Sequence, residues 1–86
     1  MPASPLPDHV LRRRLEVGRR IRDARLWRNL TQEALAELAG LERKAVSRIE
    51  TGAMSPTVDH LLDLAAAMDV SPRELLPEWP RPPDGT

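Results

Sequence analysis

Arg43, Lys44, Ser47 and Arg48 fall within six residues of one another in this 86-residue chain. At helical spacing they share one face. An arginine fork donates two coplanar hydrogen bonds, which matches the O6 and N7 acceptors that guanine presents in the major groove of a duplex. Lys44 can donate to the same atoms, and Ser47 can donate or accept. A good bidentate pair discriminates against the wrong base by about 1–3 kcal/mol. What these residue types offer is recognition by hydrogen bonding. Their plainer reading, a solvated basic face, stays open on the residues alone.

No other residues assemble a reaction centre. There is no Cys, so a thiol nucleophile, a disulfide and a cysteine-bound zinc are all excluded. His9 and His60 are far apart, and neither has a partner at ligand spacing. Ser47 lacks a hydrolase-like His or Lys arrangement, and no Gly-rich loop could cradle a phosphate. The expectation is no enzyme activity, no metal and no cofactor. No apolar run approaches the roughly 18 residues of a membrane span. The N-terminus has no apolar segment of the signal-peptide kind. A soluble cytoplasmic protein with no membrane partner is expected.

The net charge of zero argues at first against a nucleic-acid partner. Its distribution argues the other way. Residues 1–48 hold eleven basic and six acidic residues, whereas residues 49–86 hold two basic and seven acidic. The chain is a dipole along its length.

These side chains need helices to position them, and the apolar spacing supplies helices and no strands. Residues 1–7 are expected to be a disordered Pro-rich end, 8–76 a folded domain and 77–86 a Pro-rich tail. The first helix is expected over about 8–28, capped by Asp8. Val17, Ile21 and Ala24 mark one face of it, and Leu11, Leu15, Gly18 and Leu26 a second stripe. The second is expected over 31–39, with Thr31 as N-cap, a Leu30–Leu35 staple and Gly40 closing it. The third, 42–51, ends at Gly52 and turns Val46 and Ile49 inward. Pro56 is expected to open a fourth over 56–68, with Val58, Leu61, Leu64, Ala65 and Met68 in the core. Ser71, Pro72 and Glu74 form a capping box for a fifth over 72–76. Two helices separated by about three residues, with Gly in the turn, give the helix-turn-helix signature.

The ordered set Ile21-Arg22-x-x-Arg25, Leu30-Thr31-Gln32-Glu33-x-Leu35-Ala36, Gly40-Leu41, Val46-Ser47-Arg48-Ile49-Glu50-x-Gly52, Pro56 and Leu61-x-x-Leu64-Ala65 resembles the Cro/C-repressor type of helix-turn-helix domain, the Xre family. The likeness runs from Val17 to Leu76. It implies an all-α, compact five-helix lambda-repressor-like DNA-binding domain. In that setting Arg43, Lys44, Ser47 and Arg48 are the expected base contacts, and Thr31, Gln32 and Thr51 the expected phosphate contacts. The resemblance also implies a buried structural ion pair between Arg25 and Glu50. It implies a homodimer on a pseudo-palindromic duplex DNA operator, paired through Leu62, Leu75, Leu76 and Trp79, and a nucleoid-associated setting. The alternative is an antitoxin-type module that binds a toxin-like partner protein through its acidic C-terminal half and autoregulates its operon.

The chain departs from the family pattern at four places. Glu42 stands where Ser or Thr usually caps the third helix; its carboxylate suits the helix dipole, would repel a phosphate, or accepts from a cytosine N4 amino group. Residues 52–55 lack the Lys or Arg often found there, which removes one phosphate anchor. Leu26 and Trp27 either form an interface or are covered by the Trp79 tail. Arg12, Arg13 and Arg14 read first as a solvated helix start, and second as a reach toward phosphates or a minor groove.

Overall fold

Four α-helices and one short 3-10 turn follow one another in the computed structural model, which describes residues 6–78. They are α1 (Asp8–Trp27), α2 (Gln32–Ala39), α3 (Arg43–Glu50), α4 (Val58–Met68) and the turn Pro72–Leu75. No strand occurs among the described residues. The expected disorder of the N-terminal end and the Pro-rich tail falls mostly outside the described residues, as does Trp79.

The fold class is as expected, but the fifth helix is not a full one. Ser71 and Glu74 form the capping box, with Pro72 at the first position. Only a 3-10 turn follows, because Pro77 lies too close to allow a further helical turn. Leu75, wholly buried, pins this turn to the core.

Two other helix starts differ from expectation. Asp8 lies inside the first turn of α1; Pro7 precedes it, and its carbonyl accepts from the Val10 and Leu11 N–H groups at 2.9 and 3.1 Å. The carboxylate of Asp8 still suits the positive helix end. Helix α4 begins after Thr57, not at Pro56. The Thr57 hydroxyl accepts from the His60 N–H at 3.0 Å, and His60 Nδ1 accepts from the Thr57 N–H at 3.2 Å. A histidine here fills the place that Glu or Gln takes in the usual capping box. Val58 is then the first residue of α4 and stands 71% exposed at its end, so it is not a core residue.

The core is a contiguous set from every element: Val17 and Ile21 of α1, Leu35, Ala36 and Ala39 of α2, Val46 and Ile49 of α3, Leu64, Ala65 and Met68 of α4, and Leu75. Leu30 and Leu41, one on each side of α2, pack against it. The second stripe of α1 is only half-covered, with Leu11, Leu15 and Leu26 exposed. Gly18 is its exception. It is buried, and a Cβ there would lie 2.5 Å from the Glu50 carbonyl oxygen and closer still to that of Ile49. Glycine thus lets α1 cross directly against the backbone at the end of α3.

Candidate nucleic-acid interface

The interface is built on the turn between α2 and α3. Thr31 caps α2, its hydroxyl accepting from the Ala34 N–H at 3.0 Å. Gly40 ends α2 in the left-handed region at φ 72°. The Leu41 N–H then donates to the Ala36 carbonyl at 2.8 Å, and Glu42 opens α3. Residues 40–42 alone join the two helices. Val46, Ile49 and Glu50 are the buried side of α3. The opposite side carries Arg43, Lys44 and Arg48 exposed, with Ser47 half-buried between them. The structure therefore brings together all four expected base-contacting residues.

That face is unclaimed by the other described residues. Among the described residues, the side-chain cations of Arg43, Lys44 and Arg48 have no ion-pair partner. Several arginines of α1 are used internally instead. Arg19 and Arg20 both bond Glu16, at 2.9 and 2.8 Å, and these bonds hold the Glu16 carboxyl below its ordinary range. Arg28 donates to the Asp69 carbonyl at 3.0 Å. The positive half of the chain is thus partly neutralised within α1, while α3 keeps its cations free.

Beneath the face lies the ion pair expected from the resemblance. Arg25 and Glu50 are both buried. Arg25 Nε donates to Glu50 Oε2 at 2.7 Å and Nη2 to Oε1 at 2.9 Å. A third bond runs from Arg25 Nη1 to the Leu30 carbonyl at 2.9 Å. The hydrogen bond to Glu50 raises the Arg25 guanidinium above its ordinary value, with burial opposing. Gln32 joins the group by donating from Nε2 to Glu50 Oε1 at 3.1 Å. Four segments meet at this ion pair: Arg25 at the end of α1 and Gln32 in the first turn of α2 both donate to the Glu50 carboxylate at the end of α3, and the loop before α2 accepts from the Arg25 guanidinium.

The expected phosphate contacts sit at the edges of this face. Gln32 keeps one N–H and its carbonyl oxygen for an outside partner, and the Thr31 hydroxyl, an acceptor in the cap, keeps its proton. Thr51 is exposed, but its hydroxyl donates back to the Arg48 carbonyl at 3.2 Å. The loop after α3 folds onto that same carbonyl through the Met54 N–H at 3.1 Å. Arg14 of α1 borders a groove of about 250 Å³ together with Ser55 and Pro56, so the arginine run of α1 lies beside the loop that lacks a cation.

The expected dimer residues divide. Leu62 and Leu76 are about half-exposed. Leu75 corrects the expectation: it is fully buried in the core of its own chain and has no surface to offer a second copy. Trp79 lies outside the described residues, and with it the reading of a tail over Leu26 and Trp27. Trp27 itself is 82% exposed.

Sequence reasoning missed three positioning features. The Gln32–Glu50 bond has no local signature. The Gly18 contact was legible only as a small residue within an apolar stripe. His60, set aside as a possible metal ligand, is a helix cap, and its signal was the Thr57-x-x-His60 spacing.

An all-α fold whose third helix, presented by a tight turn, carries a cationic outer face with no ion-pair partner among the described residues defines the helix-turn-helix class of DNA-binding transcriptional regulators. The helix-turn-helix family model HTH_3 matches residues 21–75, and the chain belongs to this family, in its Cro/C-repressor form. It is 36% identical over 64 residues to the control protein C.BamHI of Bacillus amyloliquefaciens, covering 73% of this chain and 79% of that one. Its fold is similar to the restriction–modification controller protein C.AhdI of Aeromonas hydrophila, with a TM-score of 0.71 and 40% identity over 72% of this chain and 94% of that one. It is also similar to the P22 c2 repressor, solved with a synthetic operator, with a TM-score of 0.66 and 35% identity over 70% of this chain and 91% of that one. The chain spans only 45% and 33% of the length of two uncharacterised regulators of Sinorhizobium fredii that it also matches. No helix among the described residues is long and apolar enough to cross a membrane.

Proposed function

We propose that this protein is a sequence-specific regulator of transcription that binds duplex DNA as a homodimer, acting as a repressor or controller. The observation that carries this reading is the free cationic face of α3, fixed from behind by Arg25, Gln32 and Glu50. An α-helix fits a major groove about 12 Å wide, where arginine forks meet guanine edges. Arg43, Lys44, Ser47 and Arg48 read bases. Thr31, Gln32 and Thr51 hold the backbone and set register without reading sequence. Leu62 and Leu76 are exposed apolar residues for pairing with a second copy, and Trp79, soon after Leu76 in sequence, is proposed to join them. Two-fold pairing would set two recognition helices about 34–36 Å apart on a pseudo-palindromic site. The likeness to a restriction–modification controller and to an operator-bound repressor supports the same reading.

The balanced total charge shapes the behaviour. Non-specific affinity comes from neutralised phosphates. A chain with zero net charge gains little from that source and depends on base contacts and pairing. The test is fluorescence anisotropy with a duplex from the protein's own promoter, at several salt concentrations. Saturable binding that weakens as salt rises is expected. No salt-sensitive binding at micromolar protein overturns the reading. Sedimentation equilibrium checks the dimer.

A further inference from the structure

Glu42 starts the recognition helix, yet its side chain makes no hydrogen bond or ion pair among the described residues. Its backbone has N-cap geometry, φ −81° and ψ 146°. Its carbonyl accepts from the Ala45 and Val46 N–H groups at 3.0 and 3.2 Å. The carboxylate makes no capping hydrogen bond, is exposed, and joins no ion pair among the described residues. Thr31 and Thr57, at the starts of α2 and α4, do the opposite, each hydroxyl capping a backbone N–H at 3.0 Å. The short hydroxyl side chains reach back to those groups, whereas the longer glutamate stays exposed and makes no such bond. The N-terminal residues of a recognition helix are those that contact base edges.

We propose that Glu42 is a specificity-determining residue that accepts a hydrogen bond from the N4 amino group of cytosine, in a base pair next to the one Arg43 contacts. This rests on the reading of α3 as the recognition helix. The assignment follows from what a carboxylate can and cannot meet. An ionised carboxylate only accepts. The major-groove edges offer two donors, cytosine N4 and adenine N6, and adenine sets its N7 acceptor beside the donor. Guanine O6 and N7 and thymine O4 are acceptors that repel it. Cytosine is the one base that presents a donor alone. A carboxylate left without that donor sits unpaired close to phosphates and acceptor edges, so Glu42 selects partly by rejecting other sequences. Arg43, the neighbouring residue, supplies the opposite charge and the opposite preference, for guanine.

The experiment is selection of bound duplexes from a random pool with the full chain, comparing wild type, Glu42→Gln and Glu42→Ser, with thermal melts of all three. Wild type should require cytosine at one position of each half-site. Glu42→Gln should lose that preference by about ten-fold or more and move it toward adenine, which a glutamine amide pairs at N6 and N7. Glu42→Ser should lose it too while melting no lower than wild type, since serine is a good N-cap. Relaxed selection in a variant that melts normally cannot come from misfolding. Unchanged base preference at every position, with affinity raised by one common factor for all duplexes, overturns the assignment and leaves Glu42 as general repulsion. If wild type selects no duplex, the recognition-helix reading fails first and this assignment falls with it.

Discussion

Arg25 and Glu50 close a bidentate ion pair across the contact of α1 with α3, at 2.7 and 2.9 Å, with both side chains buried. Gln32 Nε2 adds a third hydrogen bond to the same carboxylate, at Oε1. Truncating one partner strands a charge away from water. Glu50→Ala is expected to lower stability by about 3–5 kcal/mol. Replacing Arg25 and Glu50 together by apolar residues of similar size should cost less than either single truncation. Chemical denaturation of the three variants checks both points. A Glu50→Ala melt within a degree or two of wild type would show that the pair does not hold the domain together.

Gln32→Ala separates positioning from folding. It removes one donor from Glu50 but leaves the Arg25 pair intact, so the cost should be that of one hydrogen bond to a charged group, about 1.5–3 kcal/mol. If Gln32 also holds a phosphate, affinity should fall by a similar factor for every duplex, with base preference unchanged. A neutral amide releases no counterion, so the salt slope should stay as in wild type. A change of base preference would instead make Gln32 a reader of sequence or a controller of the angle of α3.

The folding pattern of this chain is mostly written in local signals. Thr31, Gly40 and Gly52 mark the ends of α2 and α3 because caps and left-handed turns act on immediate neighbours. Ile21, Val46 and Ile49 announce the core through period alone. The site was legible in the same way, since Arg43, Lys44 and Arg48 share a face by spacing. What escaped depends on three-dimensional proximity. Leu75 read as an exposed apolar residue on a terminal helix, but the 3-10 turn rotates it into the core. Val58 read as core from its helical spacing to Leu61 and Leu64, but it is the first residue of α4 and stands exposed. Gln32 meeting Glu50 links residues that no helical period connects.

Thr57 and His60 test whether an unusual capping box stabilises α4. Thr57→Ala removes the hydroxyl that accepts from the His60 N–H and should cost about 1 kcal/mol. His60→Ala removes only the reciprocal bond to the Thr57 N–H, which faces solvent, and should cost less. Urea denaturation at neutral pH ranks the two. A larger loss for His60→Ala would mean that the imidazole packs as well as caps.

Glu16 gives a pH signature. The bonds from Arg19 and Arg20 hold its carboxyl below the ordinary carboxylate range. A depressed carboxyl contributes stability that is full above the unfolded value and is lost as pH falls through the folded one. The stability difference between wild type and Glu16→Gln should therefore be present at neutral pH, begin to shrink as pH enters the ordinary carboxylate range, and vanish only at still lower pH, below the depressed folded value. The group sits at the surface, so added salt should shrink the difference. Melts at neutral and acid pH, each in low and high salt, read it directly; a difference that grows on acidification contradicts the assignment.

Gly18 should also prove sensitive, for a reason of space and not of charge. A methyl group at this position would lie 2.5 Å from the Glu50 carbonyl oxygen and nearer to that of Ile49. Both obstacles are backbone at the end of α3, so no side chain can rotate away to make room. Gly18→Ala must push α1 and α3 apart. Alanine favours the helix itself by about 1 kcal/mol over glycine, which works in the opposite direction. Overpacking a tight contact costs about 1–3 kcal/mol, so a net loss of stability is expected. The displacement acts on the segment that carries Glu50, and therefore on the pair that fixes α3. DNA affinity should fall by more than the stability loss alone explains when measured well below the melting temperature. Gly18→Ala that melts at or above wild type and binds duplex equally well would show that the close approach is not required.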